Sequence, residues 1–246
     1  MKQLFFAFSV VPVVAAAQSI SPISTDRPTF SDGASLVPTG YIQLESGSTA
    51  NRTAGSTTYT YGELITRYGL SNRVELRLTN LTWTHIPGQT DGLQDPSIGF
   101  KFWIQTGSLK RPDLSAEISS TVPIGGSQFR VSRTQPTAKL IWNQQIDSNT
   151  AITGNFIVSD LGPNGGRYTQ WAESVFLSRA LTPKLGLFAE VYRIDPNSYA
   201  ESGGSFYDAG LTYLITNNVQ VDARFGAGFD AQTNGRTFGA GISYRF

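Results

Sequence analysis

The chain has 246 residues, with nineteen Lys and Arg against eighteen Asp and Glu, one histidine and no cysteine. A formal net charge of +1 argues against a nucleic-acid partner, and the lack of cysteine excludes disulfides and thiolate metal sites. Twenty-five glycines, a 12% aromatic share and a single methionine suit an all-β chain of one domain.

The first element is an export signal. Lys2 gives a positive start, residues 4–14 are apolar apart from Ser9 and Pro12, and Ala15-Ala16-Ala17 offers the small-x-small site of signal peptidase. Residues 1–17 are therefore expected to be a signal peptide cleaved near Ala17. The apolar stretch is too short for a membrane helix, which needs roughly 20 residues. No long apolar run follows, so the mature chain cannot cross a bilayer as helices.

Residues 18–39 carry turn-forming residues and no strand alternation. Asp26-Arg27-Pro28 places a charge pair beside a rigid kink. This N-terminal segment is expected on the periplasmic side, either as a free leader or tucked into a barrel mouth as a lumen plug. In the second case Asp26 and Arg27 would pair with inner-wall Glu and Arg residues.

From Gly40 to Phe246 one pattern repeats: roughly ten residues alternating apolar with small or polar, then a turn. Strand geometry sends successive side chains to opposite faces. Val74, Leu76 and Leu78 oppose Glu75, Arg77 and Thr79. Ile98, Phe100, Phe102 and Ile104 oppose Gly99, Lys101 and Trp103, and Val219, Val221, Ala223 and Phe225 oppose Gln220, Asp222 and Arg224. Strands are expected near 40–51, 57–68, 73–84, 94–105, 113–123, 135–145, 150–159, 168–180, 184–193, 205–214, 218–229 and 236–246. The phase of 57–68 and 168–180 is ambiguous. Links near 70–72, 147–149, 182–183 and 216–218 are short. Those near 85–93, 124–134, 160–167, 195–204 and 230–235 are longer and polar. Short and long links that alternate, apart from a medium link near 107–112, together with an even strand number, describe an antiparallel up-and-down transmembrane β-barrel of about twelve strands. A soluble sandwich gives no reason for that rhythm. Closure supplies the physics, since every backbone N–H and C=O must be paired within hydrocarbon and a barrel leaves no free edge.

The last strand ends on Ile242, Tyr244 and Phe246, alternating on one face, which resembles the signal read by the outer-membrane barrel assembly machinery. Together these features predict the outer membrane of a diderm bacterium, with membrane lipid and lipopolysaccharide as surroundings.

The string Thr25-Asp26-Arg27-Pro28, the Val37-Pro38-x-Gly40 step and Gln43-x-Glu45 resemble the start of the family described as "putative MetA-pathway of phenol degradation". The Arg67-Tyr68-Gly69-Leu70-Ser71-Asn72-Arg73-Val74-Glu75-Leu76-Arg77 strand–turn–strand and Asp95-Pro96-Ser97 before Gly99-Phe100-Lys101 extend the likeness. These matches cover about the first third of the chain. The resemblance implies a channel-like outer-membrane protein for hydrophobic or aromatic compounds.

Charged residues fall mostly on the inner phase: Glu45, Glu63, Glu75, Glu117, Glu190 and Asp222 against Arg67, Arg77, Lys101, Lys139, Arg224 and Arg245. A strongly ion-selective pore would show an excess of one sign. Balance suits either cross-strand ion pairs or weak ionic selectivity. About twelve strands make a ring wider than the side-chain-filled eight-stranded type and narrower than a porin. Trp103, Phe188 and Tyr192 are candidate apolar inner patches. Tyr41, Tyr68, Trp142 and Tyr244 are girdle candidates at the periplasmic end, with Tyr59, Trp83 and Trp171 at the outer end.

An enzyme is not expected. The barrel phospholipases use His, Ser and Asn with a His-x-Ser arrangement, whereas His85 here precedes Ile86-Pro87-Gly88 and is expected on an outer loop. No Asp-x-Asp-x-Asp-Gly loop or other metal pattern appears, and no cofactor is expected. An autotransporter pore would need a passenger and linking helix ahead of the barrel. The expected function is passive passage of small molecules of unassigned identity. The alternative is a non-transporting structural barrel whose outer loops bind a partner.

Overall fold

The computed structural model describes residues 20–53, 55–80, 82–162, 166–196, 203–229 and 233–246. The expected signal peptide and its cleavage site lie outside them. Fifteen strand segments occur among the described residues: β1 (Ile42–Thr53), β2 (Ser56–Tyr61), β3 (Ile65–Gly69), β4 (Val74–Thr79), β5 (Trp83–Ile86), β6 (Thr90–Leu93), β7 (Ser97–Gln105) and β8 (Asp113–Thr121), then β9 (Pro136–Gln145), β10 (Thr150–Leu161), β11 (Tyr168–Ala180), β12 (Leu185–Ile194), β13 (Gly204–Thr216), β14 (Val219–Gly228) and β15 (Gly235–Arg245). β2 runs on into β3, β4 into β5 and β6 into β7, so the segments make twelve antiparallel crossings. β15 pairs with β1 from Gln43↔Arg245 to Thr53↔Gly235 and closes the barrel.

The barrel is inside-out relative to a soluble core. Of the buried side chains among the described residues, only Ile23, Ala34, Val37, Ile141 and Phe188 are apolar. Glu45, Glu75, Arg67 and Lys101 are at most 1% exposed, whereas Ile118, Phe156 and Phe238 are more than half exposed. The wall is thus sorted by alternation, with charge inward and hydrocarbon outward, which suits lipid outside and polar groups inside.

Two stretches of ambiguous phase are now resolved. On β1, the three steps from Ser48 to Glu45 are matched by four steps from Tyr61 to Ile65 on its neighbour. One extra residue is a β-bulge, and Gly62 supplies its left-handed turn at φ 66°. Tyr59 and Tyr61 point outward before the break in sequence, Tyr68 points outward beyond it, and Glu63 and Arg67 both face in. A strict alternation cannot fit both halves. In β11 the inward face carries Ser174 and Phe176, and the outward face carries Glu173 and Arg179, so hydropathy alone gives mixed signals.

One expectation is corrected. The link near 85–93 is not a loop, because β5 and β6 pair from Trp83↔Leu93 to Ile86↔Thr90 around a tight turn with Gly88 at φ 72°. His85 therefore sits within a strand, its ring 6.3 Å from that of Tyr59. The longer 122–135 link is organised by Asp95, whose carboxylate accepts from the Gly125 and Val131 amides at 2.6 and 2.7 Å.

Candidate functional site

Residues 23–37 thread the barrel interior, with 20–22 and 38–39 at its mouth. The segment enters at the end that holds the short turns, where the Ile23 amide donates to Asn217 O at 2.8 Å and Arg245 Nη2 donates to Ser21 O at 2.6 Å. It climbs to the middle of the lumen and returns through Val37 and Pro38 to β1. Irregular backbone inside a membrane barrel has no ladder partners, so its polar groups must be met by the wall. Wall side chains do this. The Asp26 and Arg27 amides both donate to Glu45 Oε2 at 2.9 Å. Glu190 takes the Phe30 and Ser31 amides at 2.7 and 2.9 Å and also the Ser31 hydroxyl. Val37 N donates to Glu75 Oε2 at 2.6 Å. Asn155 pairs both ways with the Asp32 backbone at 3.0 Å, as a strand neighbour would.

Asp26 stands where three cations of the wall converge. Its carboxylate lies 2.6 Å from Arg77 Nη1, 3.3 Å from Arg67 Nη1 and 3.3 Å from Lys101 Nζ, and it also accepts from the Gly33 amide at 2.8 Å. Arg67 grips Glu75 through two parallel bonds of 2.8 and 3.0 Å and reaches Glu45 at 2.8 Å. Arg77 also reaches Glu75 at 3.0 Å, Glu117 at 2.9 Å and Asp32 at 3.4 Å. Lys139 closes the network on Asp32 and on Glu117, the latter at 3.7 Å. Burial alone would raise the Asp26 carboxyl, but the charges of Arg67, Lys101 and Arg77 outweigh it and hold the group well below the usual carboxylate range. Asp32 is lowered in the same way, with Lys139 the main force opposing burial. Removing one member of such a network leaves an uncompensated buried charge, at a cost of about 3–5 kcal/mol.

Arg27 turns the other way along the wall, over β1 toward β15 and β14. It bonds Glu63 at 2.9 Å and lies 3.4 Å from Asp222. Two wall glycines make this possible. A β-carbon at Gly47 would stand 2.2 Å from Arg27 Cζ, and one at Gly241 2.4 Å from its Nε. The neighbouring Asp and Arg of the segment thus each meet wall side chains of the charge opposite to their own, on adjoining stretches of wall. Pro28 follows a cis peptide bond, and its carbonyl accepts from Arg224 at 3.0 Å.

The structure places all twelve wall residues read from the sequence on the inner face. Arg27 and Asp26 reach Glu63, Asp222, Arg67, Arg77 and Lys101, while Lys139 meets Asp32 and Glu117 pairs with Arg77 and Lys139. The sequence reading missed Asp32, which lies among the turn-forming residues of the 18–39 segment. It also missed Asp208, the register partner of Glu190, although Phe206, Asp208, Gly210 and Thr212 alternate with Tyr207, Ala209 and Leu211. Trp103, on β7, is hydrogen-bonded to Thr106 and lies on a different stretch of wall from Phe188 and Tyr192. Tyr41 faces the mouth, with the Arg245 guanidinium 5.9 Å from its ring, and so does not join the lipid-facing girdle expected for it at the periplasmic end.

On the β11–β13 side the lumen is aromatic. Phe30 stacks on Tyr192 at 4.3 Å, and Tyr192 on Phe206 at 5.0 Å. Cavities lie on both sides of the segment. About 420 Å³ opens toward the short turns, lined by Thr153, Phe176, Phe188 and Gln220. About 240 Å³ lies toward the long loops, above Asp32, Arg77, Glu117 and Lys139.

Residues 25–246 match the family described as "Putative MetA-pathway of phenol degradation". The chain belongs to this family. The match runs from Thr25, at the foot of the threaded segment, to the end of β15, so the family covers segment and barrel together. No curated protein matches the sequence significantly. Among solved structures, the COG4313 outer membrane channel from Pseudomonas putida F1 is similar, with a TM-score of 0.66 at 13% identity, covering 86% of this chain and 97% of that one. The KdgM porin in complex with disordered oligogalacturonate gives 0.58 at 9% identity, covering 83% and 99%. The NanC porin gives 0.56 at 8% identity, covering 82% and 98%. At these identities the likeness is one of fold. This family member shares the closed barrel of outer-membrane channels.

Proposed function

We propose that the protein is a passive outer-membrane channel whose lumen is closed by the 20–39 segment acting as a plug, and that its cargo is small and hydrophobic or aromatic. The observation that carries this reading is the convergence of Arg67, Arg77 and Lys101 on Asp26. Three buried cations on three strands meet one carboxylate from outside the wall, an arrangement that pins a segment in place without covalent attachment. The wall meets the plug chiefly through ion pairs and hydrogen bonds, whose groups water can solvate once the two part and leave a hydrated pore. The aromatic face formed by Phe30, Tyr192 and Phe206, with Phe176 and Phe188 in the lower cavity, supports an uncharged, ring-bearing solute. Family membership and the fold support the channel class. Under this reading Ile242, Tyr244 and Phe246 serve the assembly machinery, and all three are about half exposed on the outer face.

Deleting residues 20–36 and recording single-channel conductance in planar bilayers tests the proposal. The deletion is expected to give a larger, steady conductance than the intact chain. Unchanged conductance would remove the plug from the account. The packed lumen also fits a barrel that never opens. Liposome swelling with small neutral solutes separates the two, since a sealed structural barrel shows no solute-dependent swelling with the intact chain.

A further inference from the structure

The seam where β15 closes on β1 carries an unbalanced charge on its outer face. Arg52 and Arg236 are register partners. The inward residues on these strands are fixed by their contacts: Glu45 holds the plug, Thr49 bonds Glu63, and Gly239 and Gly241 back onto Arg224 and Arg27. Alternation then puts Arg52 and Arg236 outside, both exposed. Among the described residues neither has a carboxylate within ion-pair distance. Two like charges directly opposite on one face of a sheet repel, and nothing in the described wall offsets them.

Their depth is defined by the next row of residues. Toward the membrane, Phe225, Phe238, Ala50, Tyr59 and His85 follow one another across the strands in register. Phe238 is 56% exposed, with its ring 5.0 Å from Phe225. One step outward the row reads Ala227, Arg236, Arg52 and Thr57. The arginine pair thus sits on the upper edge of the apolar belt, on the side of the long loops, flanked by small uncharged residues. In an outer membrane that edge faces the phosphorylated head of the lipopolysaccharide leaflet.

We infer that Arg52 and Arg236 form a binding site for a lipid A phosphate. Guanidinium groups meet phosphate oxygens through paired, charge-assisted hydrogen bonds, and an anion between two adjacent arginines relieves their mutual repulsion. The exposed Phe238 and the half-buried Tyr59 beneath offer the acyl chains an apolar surface. The site locks the closing seam of the barrel, the one pairing that joins the two ends of the sheet. The inference rests on the outer-membrane placement proposed above and not on the plug.

The test uses the full protein folded in detergent micelles. Binding of bis-phosphorylated lipid A, of dephosphorylated lipid A with the same acyl chains, and of inorganic phosphate is followed by native mass spectrometry and thermal melts. Variants are R52Q/R236Q and, as a control, R193Q, an exposed arginine beside Asp195. The wild type is expected to prefer the phosphorylated lipid by about tenfold or more, and R52Q/R236Q to lose that preference while R193Q keeps it. Without lipid, R52Q/R236Q is expected to melt no lower than the wild type, since repulsion has been removed. Retained preference in the double variant, or a lower lipid-free melt, would overturn the site. Inorganic phosphate binding as tightly as the lipid would overturn the lipid as its ligand. Conductance uses neither arginine, so a failure here leaves the channel reading to its own test.

Discussion

Asp26→Asn removes one charge and almost no volume. The substituted amide keeps an acceptor for the Gly33 N–H but withdraws the anion from Arg77 at 2.6 Å and from Arg67 and Lys101 at 3.3 Å. Arg67 and Arg77 retain direct ion pairs with Glu45, Glu75 and Glu117, whereas among the described residues Lys101 keeps the Gly33 carbonyl at 2.9 Å as its hydrogen-bond partner and has Glu75 and Glu117 only as register neighbours. Lys101 is therefore the charge left stranded in a buried site. The low end of the range for breaking a buried pair applies, about 3 kcal/mol, which lowers the docking constant of the plug by about 100-fold. Single-channel recording should show far more frequent openings in D26N, with the barrel still folded by its heat-modifiable gel mobility. Lys101→Met in the same chain removes the stranded charge, so D26N/K101M should open less often than D26N, with a coupling of about 1–3 kcal/mol. Equal opening in wild type and D26N, or no relief in the double variant, would refute the electrostatic account of docking.

The pH dependence follows from the same group. A carboxyl held below its free value stabilises docking above that free value, about 3.9, and the contribution fades as pH falls from there through the docked value. The difference in opening between wild type and D26N should be flat from weakly acidic to weakly alkaline pH and shrink only below about pH 4. A difference that vanished near neutral pH would contradict the assignment. Gly47→Ala should push Arg27 off Glu63 and Asp222 and raise opening, at about 1–3 kcal/mol for overpacking. R27A/G47A should open no more often than R27A alone. Glu190→Ala strips acceptors from the Phe30 and Ser31 amides. At about 1–3 kcal/mol for a buried group left unpaired, it should expose the plug tip to limited proteolysis.

Much of this architecture is legible in the sequence because period-two alternation survives in most strands. Glu75 and Arg77, or Asp222 and Arg224, show their face by parity alone. Parity fails at Gly62, where one inserted residue reverses it, and in β11, where Glu173 faces out and Phe176 faces in. The β5–β6 hairpin was hidden because His85-Ile86-Pro87-Gly88 reads as a loop, although pairing continues on both sides of Gly88. The charge pair at Asp26 and Arg27 was visible as composition beside a kink. Its partners were not, since which wall each side chain meets depends on how the segment threads. The glycines at 47 and 241 read as small inner residues, and their role as the bed for Arg27 exists only once that side chain is placed.

If movement of the plug governs passage, a locked plug must stop it, and the cysteine-free chain allows such a lock. The Ser31 and Ser174 hydroxyl oxygens lie 2.5 Å apart, one on the plug and one on β11, so S31C/S174C places two thiols within bonding reach. Liposome swelling with a small neutral solute should be suppressed in the oxidised protein and restored by a reductant, with each single-cysteine variant indifferent to both. Equal swelling in the oxidised and reduced forms would contradict the account, since solute would then pass while the plug is fixed to the wall.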